Sequence, residues 1–313
     1  MAKKQNLKYA MKKGALKQIS SNKSKQTYMR GIKKFMEYAE NLGIRHLEEI
    51  PEYERKEFLQ KYEKWMEDEC YAASTIHTYL APICKAMRVK MDEIDKPKRS
   101  AGQLKRSRDE SANLQGKAEE KKDKYQRLVD TQKAVGIRRN ELRKLTGSDL
   151  IETTKGLYVR VRRGKGGKYQ LQSILPQHEK QIREVWRGIK ANEPVFSETE
   201  MRNKIDLHSM RADLAKEAYD YYAEQIKDEE FKMNLQAKLF RRYMNYNKNA
   251  NDLEKWAKEN IFNDKPYVMR GENRDNAIAH GRPVEYDRLA MMAVSVFHLS
   301  HWRLDVTSVN YLA

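Results

Sequence analysis

Cysteine is nearly missing from this 313-residue chain: Cys70 and Cys84 are the only two. Both fall in helical patterns with no histidine cluster beside them. A disulfide framework and a structural metal site are therefore set aside, and two free, reduced thiols are expected. Long apolar runs are missing too. None approaches the roughly 18 residues that a membrane span needs, and no charged-then-apolar signal opens the chain. The expectation is a soluble, cytoplasmic protein with no membrane partner. Acid is also in short supply. Lys and Arg number 63 against 45 Asp and Glu, a formal charge of +18, and the pI is near 9.6. Residues 1–30 hold nine Lys/Arg and no acid at all. Such a balance is extreme for an enzyme of small molecules and points to a polyanionic partner, DNA or RNA rather than a membrane surface. The chain shows no internal repeat, no phosphate-binding glycine loop and no clustered Asp/Glu metal site.

What is present begins with length, which predicts two domains. Residues 1–20 read as a basic tail, either solvated or lying along phosphates. Residues 21–95 read as a helical bundle. In its first helix Tyr28, Ile32, Phe35, Met36 and Ala39 share a face. A second helix runs from about Glu52 to Glu67 with Phe58, Leu59, Tyr62 and Trp65 inward. Ser74 is the expected N-cap of a third, displaying Ile76, Leu80, Ile83 and Met87, with a kink at Pro82. From Lys96 to Lys124 the apolar period stops, leaving a basic linker. The second domain, 125–313, opens on a helix over Tyr125–Val135 and another from about Arg139. Leu157–Arg163 alternates, Gly164–Gly167 turns, and Lys168–Leu175 returns, which predicts a β-hairpin carrying lysines in its turn. Helices follow at Glu179–Lys190 and from His208 to about Ile226. A charged segment, about 219–285, reads as weakly amphipathic helices or an insertion. Pro283 is expected to open a helix bearing Tyr286, Leu289, Ala290, Ala293, Val294 and Phe297. A short last helix covers Asp305–Leu312.

Four stretches carry chemistry-bearing residues: Gly136-Ile-Arg-Arg-Asn-Glu-Leu142, Arg163-Gly-Lys-Gly-Gly-Lys168, Leu207-His-Ser-Met-Arg211, and His298-Leu-Ser-His-Trp-Arg-Leu304 followed by Tyr311. None is specific alone. In this order, after a basic helical domain, they resemble the pattern of the tyrosine recombinases, or phage-type integrases, and especially integrases of bacterial conjugative transposons and prophages. The resemblance implies a mainly α fold with a small β-hairpin or sheet. An N-terminal helical bundle (a SAM-like core-DNA-binding domain) and an α+β catalytic domain would form a clamp on DNA.

It further implies the catalytic set Arg138, Lys165, His208, Arg211, His301 and Tyr311. Arg138 and Arg211 would grip the non-bridging oxygens of a phosphodiester. Tyr311 would attack phosphorus to give a 3′-phosphotyrosyl link. Lys165 would protonate the departing 5′ oxygen, His208 would assist as acid or base, and His301 would bond the phosphate. Arg162, Arg163 and Lys168 would contact the DNA backbone. Arg139, Lys168 and His298 are rivals to Arg138, Lys165 and His301, and Trp302 could share the role of His301. No cofactor or metal is implied. The implied partners are double-stranded DNA with specific sites, a homotetramer of this chain on it, and an accessory DNA-bending or excision factor. Integration or excision of a mobile element in a bacterial cytoplasm would be the setting. Two other readings stay open: a type IB topoisomerase, which shares this chemistry, and a DNA-binding relative without activity. The chain departs from the family's usual pattern by the charged segment between the His-x-x-Arg box and His301, and by the few residues after Tyr311.

Overall fold

The computed structural model describes residues 4–99, 114–246 and 252–312. The chain divides into two compact units, Met1–Gln103 and Leu104–Ala313. Among the described residues, no helix is long and apolar enough to cross a membrane.

The first unit is a bundle of four helices, α1 (Leu7–Leu16), α2 (Asn22–Asn41), α3 (Arg55–Asp68) and α4 (Ala73–Met87). Its first helix lies where a basic tail was expected. Leu7, Ala10, Met11 and Ala15 form a buried stripe, too narrow among the lysines to register as a period. Asn6 caps α1 by accepting the Tyr9 amide at 3.1 Å. The core is aromatic: Phe35 meets Tyr62 edge-on at 5.1 Å, and Tyr38 leans on Trp65 at 5.4 Å. One expectation for α4 is corrected. Ala72, in extended conformation, is the N-cap, so Ser74 lies inside the first turn and caps nothing. Pro82 sits within a helix that runs on unbroken to Met87, its ring buried.

The proline ring packs where α2 offers no side chain. A Cβ on Gly31 would stand 2.9 Å from Pro82 Cγ and 3.0 Å from the Tyr79 backbone. Gly31→Ala is therefore expected to push α2 off α4, costing about 1–3 kcal/mol of packing. Better helix propensity returns less than about 1 kcal/mol of that. A lowered denaturant midpoint for the first unit is the measurement; an unchanged midpoint would refute this packing.

Glu63 on α3 is a buried carboxyl, 3% exposed, with Oε1 unpartnered and Oε2 accepting from Gln60 at 3.2 Å. Burial, then the nearby Glu67, raises its pKa from 4.5 to about 7. Between those values the folded state holds a proton that the unfolded state has lost. Stability should thus fall as pH rises from about 4.5 to about 7, by about 1–3 kcal/mol in total, and level off above. Glu63→Gln should flatten that slope in denaturant titrations at pH 5, 6, 7 and 8.

The second unit begins with α5 (Leu114–Glu120), α6 (Gln126–Val135) and α7 (Arg139–Leu142). An antiparallel sheet follows in the order β1 (Leu150–Thr153), β2 (Gly156–Val161), β3 (Gln170–Ser173). Tyr158 pairs with Ser173 and Val161 with Gln170, so residues 162–169 form the hairpin loop. The strand β1 was not anticipated; it is four residues long, and its pattern does not alternate. Then come α8 (Glu179–Trp186), α9 (Glu198–Met201), α10 (Leu207–Gln225), α11 (Glu229–Tyr246), α12 (Leu253–Asn260), β4 (Tyr267–Val268), α13 (Gly271–Ala279), β5 (Glu285–Tyr286), α14 (Arg288–Phe297) and α15 (Leu304–Thr307). A five-residue π-turn, Ser308–Leu312, closes the described chain.

This unit has two hydrophobic clusters, and α10 belongs to both. Leu207 and Met210 join α6, α8 and the sheet, whereas Leu214, Ala215, Ala218 and Tyr222 join α11, α12 and α14. The charged segment is thus part of the core: Leu235, Leu239 and Tyr243 are buried against α14 residues. It also covers the sheet, with Lys238 donating to the Tyr158 hydroxyl at 3.2 Å and Arg242 to the Leu171 carbonyl at 3.0 Å. The helix expected from Pro283 starts instead at Arg288. Asp287 caps it by accepting the Ala290 amide at 2.8 Å, and Tyr286 lies in β5. Of the linker expected at 96–124, residues 100–113 lie outside the described residues and 114–120 are helix α5.

Candidate active site

Gly136 ends α6 in the left-handed conformation (φ 60°), which its lack of a Cβ permits. A Cβ there would meet Leu214 Cδ2 at 2.7 Å, so the same glycine lets the end of α6 approach α10. The chain then extends through Arg138, the N-cap of α7. Glu141, 4% exposed, accepts the Arg138 amide at 2.9 Å and its Nη1 at 2.9 Å. It also accepts the Lys165 amide at 3.2 Å, so one buried carboxylate holds the arginine and the hairpin turn together. Arg139 points elsewhere, to Asn203 Oδ1 at 2.9 Å and the Ile205 carbonyl at 2.5 Å. The two neighbouring arginines thus have different partners.

On α10, Asp206 caps the helix by accepting the His208 and Ser209 amides, each at 3.1 Å. His208 and Arg211 lie one turn apart on the same face. Arg211 is 1% exposed. Its Nη1 donates to the Gly136 carbonyl, in a short contact, and its Nη2 to the Leu299 carbonyl at 2.8 Å. Its Nε is buried with no partner. Burial pulls its pKa down from 12.5 and Arg138 adds to this, while the nearby Tyr311 phenol opposes the shift. A guanidinium remains charged throughout.

The fourth segment completes the cluster. Ser295 carbonyl accepts the His301 amide at 2.9 Å, and Ser300, at φ 56°, turns the chain. Gln172 of β3 donates to the Ser300 hydroxyl at 2.9 Å, a support that no pattern in the sequence foretold. His301 Nδ1 accepts the Arg303 amide at 3.3 Å, which leaves the ring proton on Nε2, a buried atom without a partner. Burial, then Arg211 and Arg138, lowers the His301 pKa to about 4, so the ring is neutral at pH 7. Tyr311, in the π-turn and 8% exposed, lies among these groups. Its ring centroid is 5.7 Å from Arg211 Cζ, 5.9 Å from the His208 ring and 6.2 Å from the His301 ring.

The structure thus brings His208, Arg211, His301 and Tyr311 into one cluster, with Arg138 close enough to bias two of them electrostatically. Lys165 is tied in through its backbone only. Its side chain is exposed, and its ammonium has no hydrogen bond or ion pair among the described residues. Of the expected DNA contacts, Arg162 pairs with Asp149 at 2.9 Å and with the Ser148 hydroxyl at 2.6 Å. Arg163 is exposed. Lys168 meets the Tyr246 hydroxyl in a short contact and stands 4.9 Å from that ring. His298 is buried against the Tyr222 hydroxyl at 3.2 Å, and burial takes its pKa to about 3. Trp302 packs on Tyr243 at 5.1 Å and Trp256 at 5.6 Å. Both cysteines are free, Cys70 exposed and Cys84 buried, and burial pushes the Cys84 thiol up to about 12.

No protein-family model matches this sequence, and no curated protein does. Among solved structures the chain has a weak similarity to the crystal structure of XerA recombinase. The two are 14% identical with a TM-score of 0.25, over 67% of this chain and 82% of that one.

Proposed function

We propose that the cluster around Tyr311 cleaves and rejoins DNA strands by transesterification, in a site-specific recombinase of the integrase type. The observation that carries this is the pair of buried, unpartnered donors, Arg211 Nε and His301 Nε2, beside the one phenol that four separate segments converge on. Unsatisfied buried donors cost free energy unless a ligand completes them, and a phosphate oxygen is an acceptor that fits one charged and one neutral N–H donor.

In the proposed step the Tyr311 oxygen attacks phosphorus in line, and its proton passes to His208. The phosphorus–5′ oxygen bond breaks, and Lys165 donates a proton to the departing oxygen, leaving a free 5′-hydroxyl and a 3′-phosphotyrosyl bond. Arg138 and Arg211 stabilise the charge growing on the non-bridging oxygens. Neutral His301 donates its Nε2 proton to one of them. One phosphodiester is exchanged for another, so rejoining is the same step run with a different 5′-hydroxyl. A tetramer on paired specific sites would make this recombination, and Arg162, Arg163 and Lys168 would then hold the backbone.

The test is covalent trapping. The full chain is mixed in EDTA with nicked duplexes from the ends of the element that encodes it, then quenched with SDS. A stable protein–DNA adduct supports the reading, and no adduct on any such duplex sinks it. Relaxation of plasmid lacking such ends would instead favour the topoisomerase reading.

A further inference from the structure

The cleft between the β2–β3 hairpin and α11 encloses about 590 Å³. Four cations line it, Lys168, Lys238, Arg241 and Arg242, and no carboxylate does. None of the four has an ion pair among the described residues. Gathering like charges in one cleft is unfavourable unless an anion joins them. Two are held in place beforehand: the Lys238 ammonium and Arg242 guanidinium sit 4.8 Å and 5.2 Å from the Phe297 ring, anchored on Tyr158 and Leu171 as described above. The rim is aromatic and open to solvent, with Tyr169 62% exposed and Tyr246 49% exposed. Exposed rings at the mouth of a cationic cleft offer flat faces for stacking and charge for a phosphate, the two surfaces that a nucleotide presents.

We infer that this cleft binds a nucleotide whose base is unstacked, its base against Tyr169 and Tyr246 and its phosphate on Lys238 and Arg241. The source is either an unpaired nucleotide of a DNA strand or a free nucleotide. The inference does not rest on strand transfer: of the lining residues only Lys168 is among the proposed DNA contacts, and none belongs to the Tyr311 cluster.

The experiment uses the full chain and three probes: a duplex with one unpaired 2-aminopurine nucleotide, the same duplex fully paired, and free 2-aminopurine deoxynucleoside monophosphate. Wild type should bind the unpaired probe about tenfold more tightly than the paired one, with quenched fluorescence. Tyr169→Ala and Arg241→Ala, both changes of exposed side chains, should erase that preference while leaving the fold, read by the denaturant midpoint, unchanged. Saturable binding of the free nucleotide, lost in the same variants, would also support the inference and make the pocket a site for a soluble ligand. Equal affinity for paired and unpaired duplexes with no binding of free nucleotide would overturn it, and so would a preference that survives Tyr169→Ala.

Discussion

Tyr311→Phe should abolish the SDS-resistant adduct and lower strand transfer by at least about 10⁴-fold, the scale seen when an enzyme loses its covalent nucleophile. The substitution removes one oxygen and keeps the ring. That ring is nearly buried between His208 and His301, so the packing survives. The phenol oxygen makes no hydrogen bond on which the fold depends, so the loss of stability should stay within about 1–2 kcal/mol. Folding and DNA binding should therefore be close to wild type, the latter because phosphate contacts by lysine and arginine dominate affinity. An adduct formed by the Phe variant would move the nucleophile to another residue.

Arg211→Ala should fail in two ways at once. Without the guanidinium, the growing charge on phosphorus loses a buried donor, and cleavage should fall by at least about 10²–10³-fold. The Gly136 and Leu299 carbonyls that it now satisfies would be left buried and unpaired, each costing about 1–3 kcal/mol. A drop of about 3 kcal/mol in the stability of the second unit should accompany the lost activity. Arg138→Ala provides the contrast. Its side chain is partly exposed, and Glu141 would keep two amide donors, so activity should fall with no more than about 1 kcal/mol of stability. Paired measurements of adduct yield and denaturant midpoint separate the two arginines. Equal stability losses would contradict the burial difference between them.

Much of the fold was legible where one face of an element is apolar and the other is not. The helices α2, α3, α6 and α10 and the β2–β3 hairpin fall close to where period and turn residues put them. The failures have particular causes. Four small or apolar residues among lysines hid α1. Tyr286 is buried from a two-residue strand rather than from a helix, so its apolar character misplaced the start of α14. The segment 219–285 reads as charged because its helices bury few residues each, while Lys238 and Arg242 lay apolar stems and charged heads over the sheet.

The candidate site was more legible in identity than in support. His208 and Arg211 share a face because they are three apart in a capped helix, and that spacing is visible in the sequence. The bonds of Arg139 to Asn203 and Ile205, the packing of Trp302 on Tyr243 and Trp256, and the hold of Gln172 on Ser300 depend on chain crossings that no local pattern encodes. Lys165 remains the least constrained member, placed by its backbone alone.

The two carbonyl bonds of Arg211 join residues 75 and 88 positions away in the chain. No contiguous stretch of the sequence contains the cluster; it exists only once two long loops have closed on α10. The entropy of such closure grows as the logarithm of loop length, so the longer loop costs only about 0.1 kcal/mol more than the shorter. Chain length between the cluster's parts is thus almost free, and a helical layer such as α11 to α13 can lie between them. What this topology does demand is time, because distant contacts form late in folding and the cluster must wait for both closures.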